Sequence, residues 1–243
     1  MLWKYFLSSL IFLTLAGSSI ALLLENIDQR RRSAKTFQDY QEIERLIQKS
    51  LERAPRSAAL NWRLARNYFA LGERASGARE KRKYFKLCMK KADRALALNR
   101  KAAEGYYFKG VCAGKAGQLS GVWSSLGIIK PFKKNMERAA ALNPAIENGG
   151  PHRALGKFYF DLPSLLGGDR KKSIDHLKQA VRYGPGFADN YFYLAESYYA
   201  DGNKPAARSA LLSFLKIARN SPNKPGLSKK LHKAQKLLKK IGK

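Results

Sequence analysis

The stretch YGPGFADNYFYLAESYYADGNKPAARSALLSF, residues 183–214, decides the fold. Pro185 ends one helix, because proline lacks a backbone N–H and restrains the residue before it. Residues 190–200 then place small and large apolar side chains on one helical face, and residues 201–203, Asp-Gly-Asn, break the chain before a third helix that leads to Phe214. The stretch therefore predicts one helix-turn-helix unit.

The apolar residues of this unit occupy the packing positions of a tetratricopeptide (TPR) repeat. Numbering from Ala188 puts alanine at positions 8 and 20, where two helices approach most closely. The packing residues at positions 4, 7, 8, 11, 20, 24 and 27 are Tyr191, Leu194, Ala195, Tyr198, Ala207, Leu211 and Phe214.

The same break recurs along the chain, at Pro55, Arg100, Pro144 and Pro185, with spacings of 45, 44 and 41 residues. These spacings exceed the 34 residues or so of a plain TPR. The connections must therefore be lengthened, and the extra residues are expected in segments 73–83, 118–131 and 161–168.

The other units follow the same register. Their first helices carry Leu64, Ala65, Tyr68 and Gly72, then Tyr106 and Gly110, then Leu155, Gly156 and Tyr159; their second helices carry Cys88, Ala92 and Ala95, then Phe132, Met136 and Ala139, then Ser173, Leu177 and Ala180. No alternating strand pattern competes with them. The sequence therefore predicts an all-α fold, a TPR-like superhelix of antiparallel helix pairs with lengthened connections.

Residues 1–24 are expected to be a signal peptide or an N-terminal membrane anchor. An uncharged run of twenty residues follows Lys4, and residues 19–21, Ser-Ile-Ala, offer a small-x-small cleavage site. The run is also long enough to span a bilayer. Three arginines at 30–32 oppose export, and no cysteine follows the run to carry a bacterial lipid anchor. The expected order is then a linker at 25–35, a helical domain at 36–221 and a C-terminal helix at 222–243.

The charge is strongly basic, with 47 Lys+Arg against 18 Asp+Glu and a formal net charge of +29. Such a surface favours polyanionic neighbours: anionic lipid, nucleic acid or an acidic protein. Nucleic acid is disfavoured, because no nucleic-acid-reading motif is present. From Gly202 onward there are 12 Lys+Arg and no Asp or Glu. The last helix, with apolar residues Leu227, Leu231, Ala234, Leu238 and Ile241, is expected to cap the solenoid; the alternative is a basic amphipathic helix on an anionic membrane.

No constellation for catalysis, a cofactor or a metal is predicted. The stretch Gly149–Lys157 departs from a phosphate-binding loop, which needs four residues between Gly and Gly-Lys and then Ser or Thr, and it is expected to be a helix start. The three histidines, His152, His176 and His232, lie far apart in sequence without ligand spacing. Cys88 and Cys112 lie inside predicted helices, which favours buried free thiols over a disulfide but leaves their pairing open.

The inner face of the solenoid is expected to bind a ligand or partner. Positions 2, 5, 9 and 12 of each first helix face it and are not needed for packing between helices, yet many of them are aromatic. The predicted groove residues are Trp62, Arg66, Phe69, Tyr107, Val111, Arg153, Lys157, Phe160, Phe192, Glu196 and Tyr199, with Glu104 and Asp189 on the same face. The alternative is that the lengthened segments, including Trp123, fold in and bury these rings.

Several stretches resemble a known family. They are WRLAR from Trp62, GVCAGKAGQLSG from Gly110 and above all GGPHRALGKFYFDLPSLLGGDRKKSIDHLKQAV from Gly149. They resemble the T-component (TatT) family of TRAP transporters, which is similar in turn to the regulators of microtubule dynamics. The signature residues are Gly149, Gly150, Pro151, His152, Arg153 and Gly156. The resemblance, over residues 40 to 215 or so, implies a periplasmic, all-helical, non-enzymatic protein that works with a substrate-binding partner in uptake of organic acids or apolar ligands, as a homo-oligomer.

Two functions are therefore expected. The first is an exported TPR-like binding or scaffold protein that holds an apolar ligand or a partner segment in its aromatic groove. The second is a membrane-surface adaptor for protein–protein interaction, anchored by residues 1–24 and by the basic C-terminal helix. The expected location is the periplasm, free or membrane-anchored, with a cytoplasm-facing anchored protein as the alternative.

Overall fold

A computed structural model describes residues 20–119, 126–220 and 226–242, and every regular element within them is helical. Helix α1 covers residues 20–33. The remaining helices are α2 Phe37–Arg53, α3 Ala58–Arg74, α4 Ala78–Leu98, α5 Ala103–Leu119, α6 Leu126–Leu142, α7 Gly150–Asp161, α8 Arg170–Tyr183, α9 Ala188–Ala200, α10 Lys204–Ala218 and α11 Leu227–Ile241, with a 3₁₀ turn at Ser164–Leu166 between α7 and α8.

Four helix pairs form the body of the molecule: α3 with α4, α5 with α6, α7 with α8, and α9 with α10. Each pair packs on the next, and the first helices also contact one another in sequence, α3 with α5, α5 with α7 and α7 with α9. This arrangement confirms the predicted all-α, TPR-like fold. The first helices line one face of the stack, and helices α2 and α11 lie before and after the four pairs.

Small residues at position 8 allow the helices of a pair to approach closely, as the register predicts. A Cβ on Gly110 would overlap the end of the Met136 side chain on α6, and a Cβ on Gly156 would overlap Leu177 on α8. Met136 and Leu177 are fully buried. The glycines therefore leave the space that these large side chains fill.

The lengthened connections take three forms. Helix α4 begins at Ala78 and runs for 21 residues, so most of segment 73–83 extends helices. Helix α6 begins before Pro131 and contains it, while residues 120–125, with Trp123, lie outside the described part of the chain. Segment 161–168 forms the turn between α7 and α8.

The predicted linker at 25–35 is wrong for most of its length, because residues 25–33 continue helix α1. Ile27 has no exposed surface, and Leu23 and Leu24 pack against the same core. The many polar residues around Ile27 hid this helical spacing in the sequence. The remainder of the expected signal or anchor, residues 1–19, lies outside the described residues. Across residues 20–119, 126–220 and 226–242, no helix has the length and apolar character needed to cross a membrane.

Cys88 and Cys112 form a disulfide bond, so the expectation of free thiols is wrong. The two residues lie on neighbouring helices of successive repeats, α4 and α5, with their Cα atoms 6.3 Å apart. Both are fully buried. Their separation of 24 residues carries no local signal, and only the packing of these helices brings the sulfur atoms together.

Candidate binding cavity on the inner face

A cavity of about 930 Å³ lies on the face formed by the first helices. It reaches from the C-terminal half of α3, across α5 and α7, to the start of α9. Its apolar lining includes Tyr40, Phe69, Tyr107, Phe108, Val111, Phe132, Ala154, Phe158, Leu162, Leu166, Phe187 and Tyr193. Most of these side chains are aromatic, and together they form the floor of the cavity.

The aromatic floor is held by ring-to-ring contacts. Phe69 packs against Phe108 with centroids 6.2 Å apart, and Phe108 meets Tyr107 edge-on at 5.0 Å. Phe132 stacks on Phe158 at 5.3 Å. Such pairs stabilise each other by roughly 0.5–1.5 kcal/mol beyond their burial. The rings therefore form a fixed apolar surface.

Charged pairs surround this floor. Lys115 lies 2.8 Å from Glu73, Lys157 lies 2.8 Å from Asp161, and Arg31 lies 3.1 Å from Glu147. All six residues line the cavity. Its wall thus combines an apolar centre with neutralised charges at the edge.

Among the described residues, the guanidinium groups of two arginines in the cavity lining, Arg153 and Arg74, contact uncharged groups. The Arg153 guanidinium donates to the carbonyl oxygens of Glu147 and Asn148 and to the side-chain oxygen of Asn190, and it covers the Phe187 ring at 4.4 Å. Arg74 donates to the Ala70 carbonyl and covers the Tyr40 ring at 4.3 Å. Tyr40, Phe187 and Ala70 also line the cavity. These arginines give it a positive balance.

Helix α1 covers the inner face of the first repeat. Asp28 pairs with Arg63 at 2.6 Å and also with Arg66, and both guanidinium groups stack on Trp62. Burial raises the pKa of Asp28, but the hydrogen bonds from Arg63 and Arg66 outweigh it and hold that pKa below its ordinary value. The carboxylate is therefore charged when α1 is docked.

Helix α11 covers the inner face of the last repeat. Lys230 lies 2.9 Å from Asp189, and Lys233 pairs with Glu196. Phe192 shares a core cluster with Leu227 of α11. Leu227 and Ala234 are buried and Leu231, Leu238 and Ile241 pack partly against the same cluster, so the helix packs as a cap through its apolar stripe.

The cavity contains only part of the predicted groove. Phe69, Tyr107, Val111, Arg153 and Lys157 line it, as does Asp189. Trp62 and Arg66 lie against α1, Phe192 and Glu196 lie against α11, and Phe160 and Tyr199 are half-buried away from the lining. A role in binding for all of these residues remains a prediction. The repeat register indicated which face they share but not which helices cover its ends.

The GGPHRALG signature begins helix α7, as the sequence predicts. Gly149 has a φ of 77°, in the left-handed region that glycine adopts readily, and Pro151 lies in the first turn. A Cβ on Gly150 would overlap the Tyr107 ring. The signature therefore seats α7 against the aromatic floor and places Arg153 in the cavity wall.

His152 and His176 lie in contact, although they are distant in sequence. Their Nδ1 atoms are 3.1 Å apart, across the α7–α8 pair. Burial lowers the pKa of His152 to about 4, and its neighbour His176 adds to the effect. The expectation that the histidines are isolated is therefore wrong for this pair. Among the described residues, no group of three or more His, Cys, Asp or Glu could hold a metal ion.

A family model described as "Regulator of microtubule dynamics protein 1-3" matches residues 23–171 of the chain. The chain belongs to this family. The match begins inside α1 and ends at the start of α8, so α1 is part of the family's domain. The predicted likeness to regulators of microtubule dynamics is confirmed. No curated protein matches the sequence.

Solved TPR structures share the fold of this family member. The thermophilic TPR protein TTC0263 from Thermus thermophilus superposes with a TM-score of 0.63 at 19% identity, covering 88% of this chain and 98% of its own. PilF from Pseudomonas aeruginosa gives 0.59 at 15%, with 93% and 90% covered. MamA from Desulfovibrio magneticus RS-1 gives 0.52 at 17%, with 83% and 96% covered. The protein therefore has a TPR-like helical fold.

Proposed function

We propose that this protein is a non-enzymatic, exported TPR-like scaffold whose central cavity holds an apolar ligand or an apolar segment of a partner protein. The observation that carries the proposal is the aromatic cavity of about 930 Å³ on the inner face. Ligand pockets are generally about 300–1,000 Å³ and mostly apolar, with a few polar groups that fix orientation. This cavity lies at the upper end of that range.

The architecture favours a short or compact occupant. Helices α1 and α11 cover the inner face at its two ends, through Asp28 and through Lys230 and Lys233. The aromatic surface between them, around Tyr107 and Phe158, is the part that the chain's own terminal helices leave available. An occupant therefore contacts mainly α5 and α7.

Export is supported by the cysteines as well as by residues 1–24. Disulfides persist in oxidising compartments and are rare in the cytosol, and Cys88 and Cys112 are paired. We propose a location in the periplasm, free or anchored, and the resemblance to TRAP T-components suggests a periplasmic substrate-binding protein as the partner. Sequencing the mature N-terminus from fractionated cells tests this; an intact Met1 in the soluble cytosolic fraction would exclude it.

The cavity is tested by filling it. Ala154→Trp places an indole on the α7 wall, whereas Ala141→Trp makes the same change at an exposed position of α6. Titration of an environment-sensitive apolar dye, such as ANS, should give saturable fluorescence with the wild type and Ala141→Trp, and at least tenfold weaker binding with Ala154→Trp. Equal affinity in all three proteins, with unchanged circular dichroism, would refute cavity binding.

The second candidate is a membrane-surface adaptor, and the charge of α11 favours it. Lys229, Lys236, Lys239 and Lys240 are exposed, while the apolar stripe of the helix is packed into the solenoid. Contact with lipid would therefore be electrostatic, worth roughly 1 kcal/mol per basic residue near an anionic surface.

Vesicle flotation of the full chain tests the adaptor. The N-terminal segment is expected to bind both kinds of vesicle. The difference in binding between phosphatidylserine-containing and purely zwitterionic vesicles, that is, the preference for the former, therefore measures the electrostatic contribution. Changing Lys229, Lys236, Lys239 and Lys240 to Gln should abolish that preference, and changing the exposed Lys83, Lys86, Lys90 and Lys101 to Gln should retain it. A retained preference in the first variant would exclude the α11 surface.

A further inference from the structure

Four aromatic residues form a column of ring contacts across helices α7 and α8. Tyr183 lies parallel to His152 at 5.7 Å, His152 contacts His176 at 5.4 Å, and His176 lies parallel to Tyr159 at 5.5 Å. Each helix contributes a His and a Tyr seven residues later, and the two helices run in opposite directions. The tyrosines therefore flank a central pair of imidazoles and fix their ring planes.

We propose that His152 and His176 form a two-imidazole binding site for a divalent transition-metal ion of the Zn²⁺ or Cu²⁺ class. Two nitrogens bound at about 2.0–2.1 Å from Zn²⁺ lie about 2.9 Å apart at a right angle and about 3.3 Å apart at the tetrahedral angle. The two Nδ1 atoms are 3.1 Å apart, between these limits. Because the two Nδ1 atoms face each other directly, both imidazole rings must rotate to direct their lone pairs at one ion, but the separation of the two nitrogens need not change.

The surroundings supply the remaining requirements. Both histidines are half-buried and reach solvent. Among the described residues, no group of three or more ligands surrounds them. Water molecules would therefore complete the coordination of a bound ion. Neutral imidazole is the form of histidine that binds metals. Near His176, the charges of Asp175 and Glu137 favour a cation and that of Lys133 opposes it.

Other cations flank the column at its outer ends and not between the imidazoles. Lys133 and Lys172 lie 5.9 and 5.7 Å from the Tyr159 ring, and Arg182 lies 6.0 Å from the Tyr183 ring. A bound ion would link α7 to α8, next to Arg153 in the cavity wall. This site is separate from the apolar cavity, because neither histidine lines it.

Titration of ZnCl₂ or CuCl₂ into the untagged full chain at pH 7.5 tests the site. Calorimetry should show saturable binding of one ion per chain, and the thermal unfolding midpoint should rise with metal concentration, because the ion binds the folded state. His152→Gln and His176→Gln should each weaken binding at least tenfold. The matched control, His232→Gln on the exposed face of α11, should bind as the wild type does.

Imidazole ¹⁵N NMR of the wild type gives an independent result that does not depend on the variants folding. With Zn²⁺, the Nδ1 resonances of two histidines should shift together while the third is unchanged. Absence of saturable binding, shifts confined to His232, or equal affinity of the His152→Gln and His176→Gln variants and the wild type would overturn the proposal and leave a plain imidazole hydrogen bond.

Discussion

Replacing Gly149 with alanine should destabilise the protein much more than the same change at Gly202. Both glycines have positive φ, 77° and 83°. Alanine in this region costs about 1–2 kcal/mol, and the reduced freedom of the unfolded chain offsets about 0.4–1 kcal/mol of that. Backbone strain alone therefore destabilises either variant by about 1 kcal/mol.

The surroundings of the two glycines differ. A Cβ on Gly149 would lie 2.9 Å from the Cα and 3.0 Å from the carbonyl carbon of Ala180, and closer still to its oxygen, whereas a Cβ on Gly202 meets nothing within 4 Å. The overlap is with the backbone of α8, which cannot rotate away as a side chain can, and overpacking adds about 1–3 kcal/mol. We expect a loss of about 2–4 kcal/mol for Gly149→Ala.

Urea unfolding followed by far-UV circular dichroism measures both losses. With the slope of the unfolding free energy against urea unchanged, the shift in midpoint reports stability. The Gly149→Ala variant should unfold at a lower urea concentration than Gly202→Ala. Equal midpoints would show that α7 can move away from α8 without cost, and the account of how the GGPH segment seats α7 would be refuted.

Three further predictions concern the disulfide, the docking of α1 and a buried amide. Reduction of the Cys88–Cys112 disulfide, which closes 24 residues of chain, should lower the unfolding free energy by about 3 kcal/mol, and a Cys88→Ala/Cys112→Ala variant should not respond to reductant in urea titrations. Asp28→Asn should expose α1 to limited proteolysis at pH 7, while the exposed control Glu25→Gln does not. Because the pKa of Asp28 is lowered, its contribution to docking is fully present above the unfolded pKa of about 3.9 and is lost as the pH falls through the lower folded value. Equal cleavage rates of the Asp28→Asn variant and the wild type at pH 7 would contradict this. Asn190→Ala leaves the carbonyls of Asn148, Ala180 and Gly184 without their shared amide donor, and calorimetry should show a loss of about 2–4 kcal/mol; a change below 0.5 kcal/mol or so would count against the network.

The repeat frame was predictable because its determinants are local. Prolines at 55, 144 and 185 stop helices, and Gly110 and Gly156 recur where a large side chain of the partner helix must fit. These features act within one helix pair, so a single sequence shows them without any knowledge of tertiary contacts. The order and pairing of the helices followed from the same pattern.

The boundaries of the candidate site were not predictable in this way. Position numbers in a repeat identify the inner face, but Trp62 and Phe192 are covered by helices from outside the repeats. Those contacts join residues more than thirty positions apart, such as Asp28 with Arg63. The number of aromatic residues at inner-face positions therefore overestimated the aromatic surface that is left uncovered by α1 and α11.

The disulfide and the histidine pair were not predicted from the sequence, for two different reasons. Cys88 and Cys112 meet only because α4 packs on the first helix of the next repeat, and no spacing in the sequence marks that contact. The histidines did carry a signal, since His152 and His176 each precede a tyrosine by seven residues. Two matching helical spacings on adjacent antiparallel helices indicate a shared face.

The two terminal helices limit the length of the inner face that remains exposed. Because α1 covers the N-terminal half of α3 and α11 covers α9 around Phe192, the inner face between these two contacts is formed mainly by α5 and α7. Helix axes pack about 8–10 Å apart. This part of the inner face is therefore about 20 Å long, which an extended chain crosses in about six residues. In the proposed binding role, an occupant would therefore contact this exposed part of the inner face through a short segment that enters from the side of the stack.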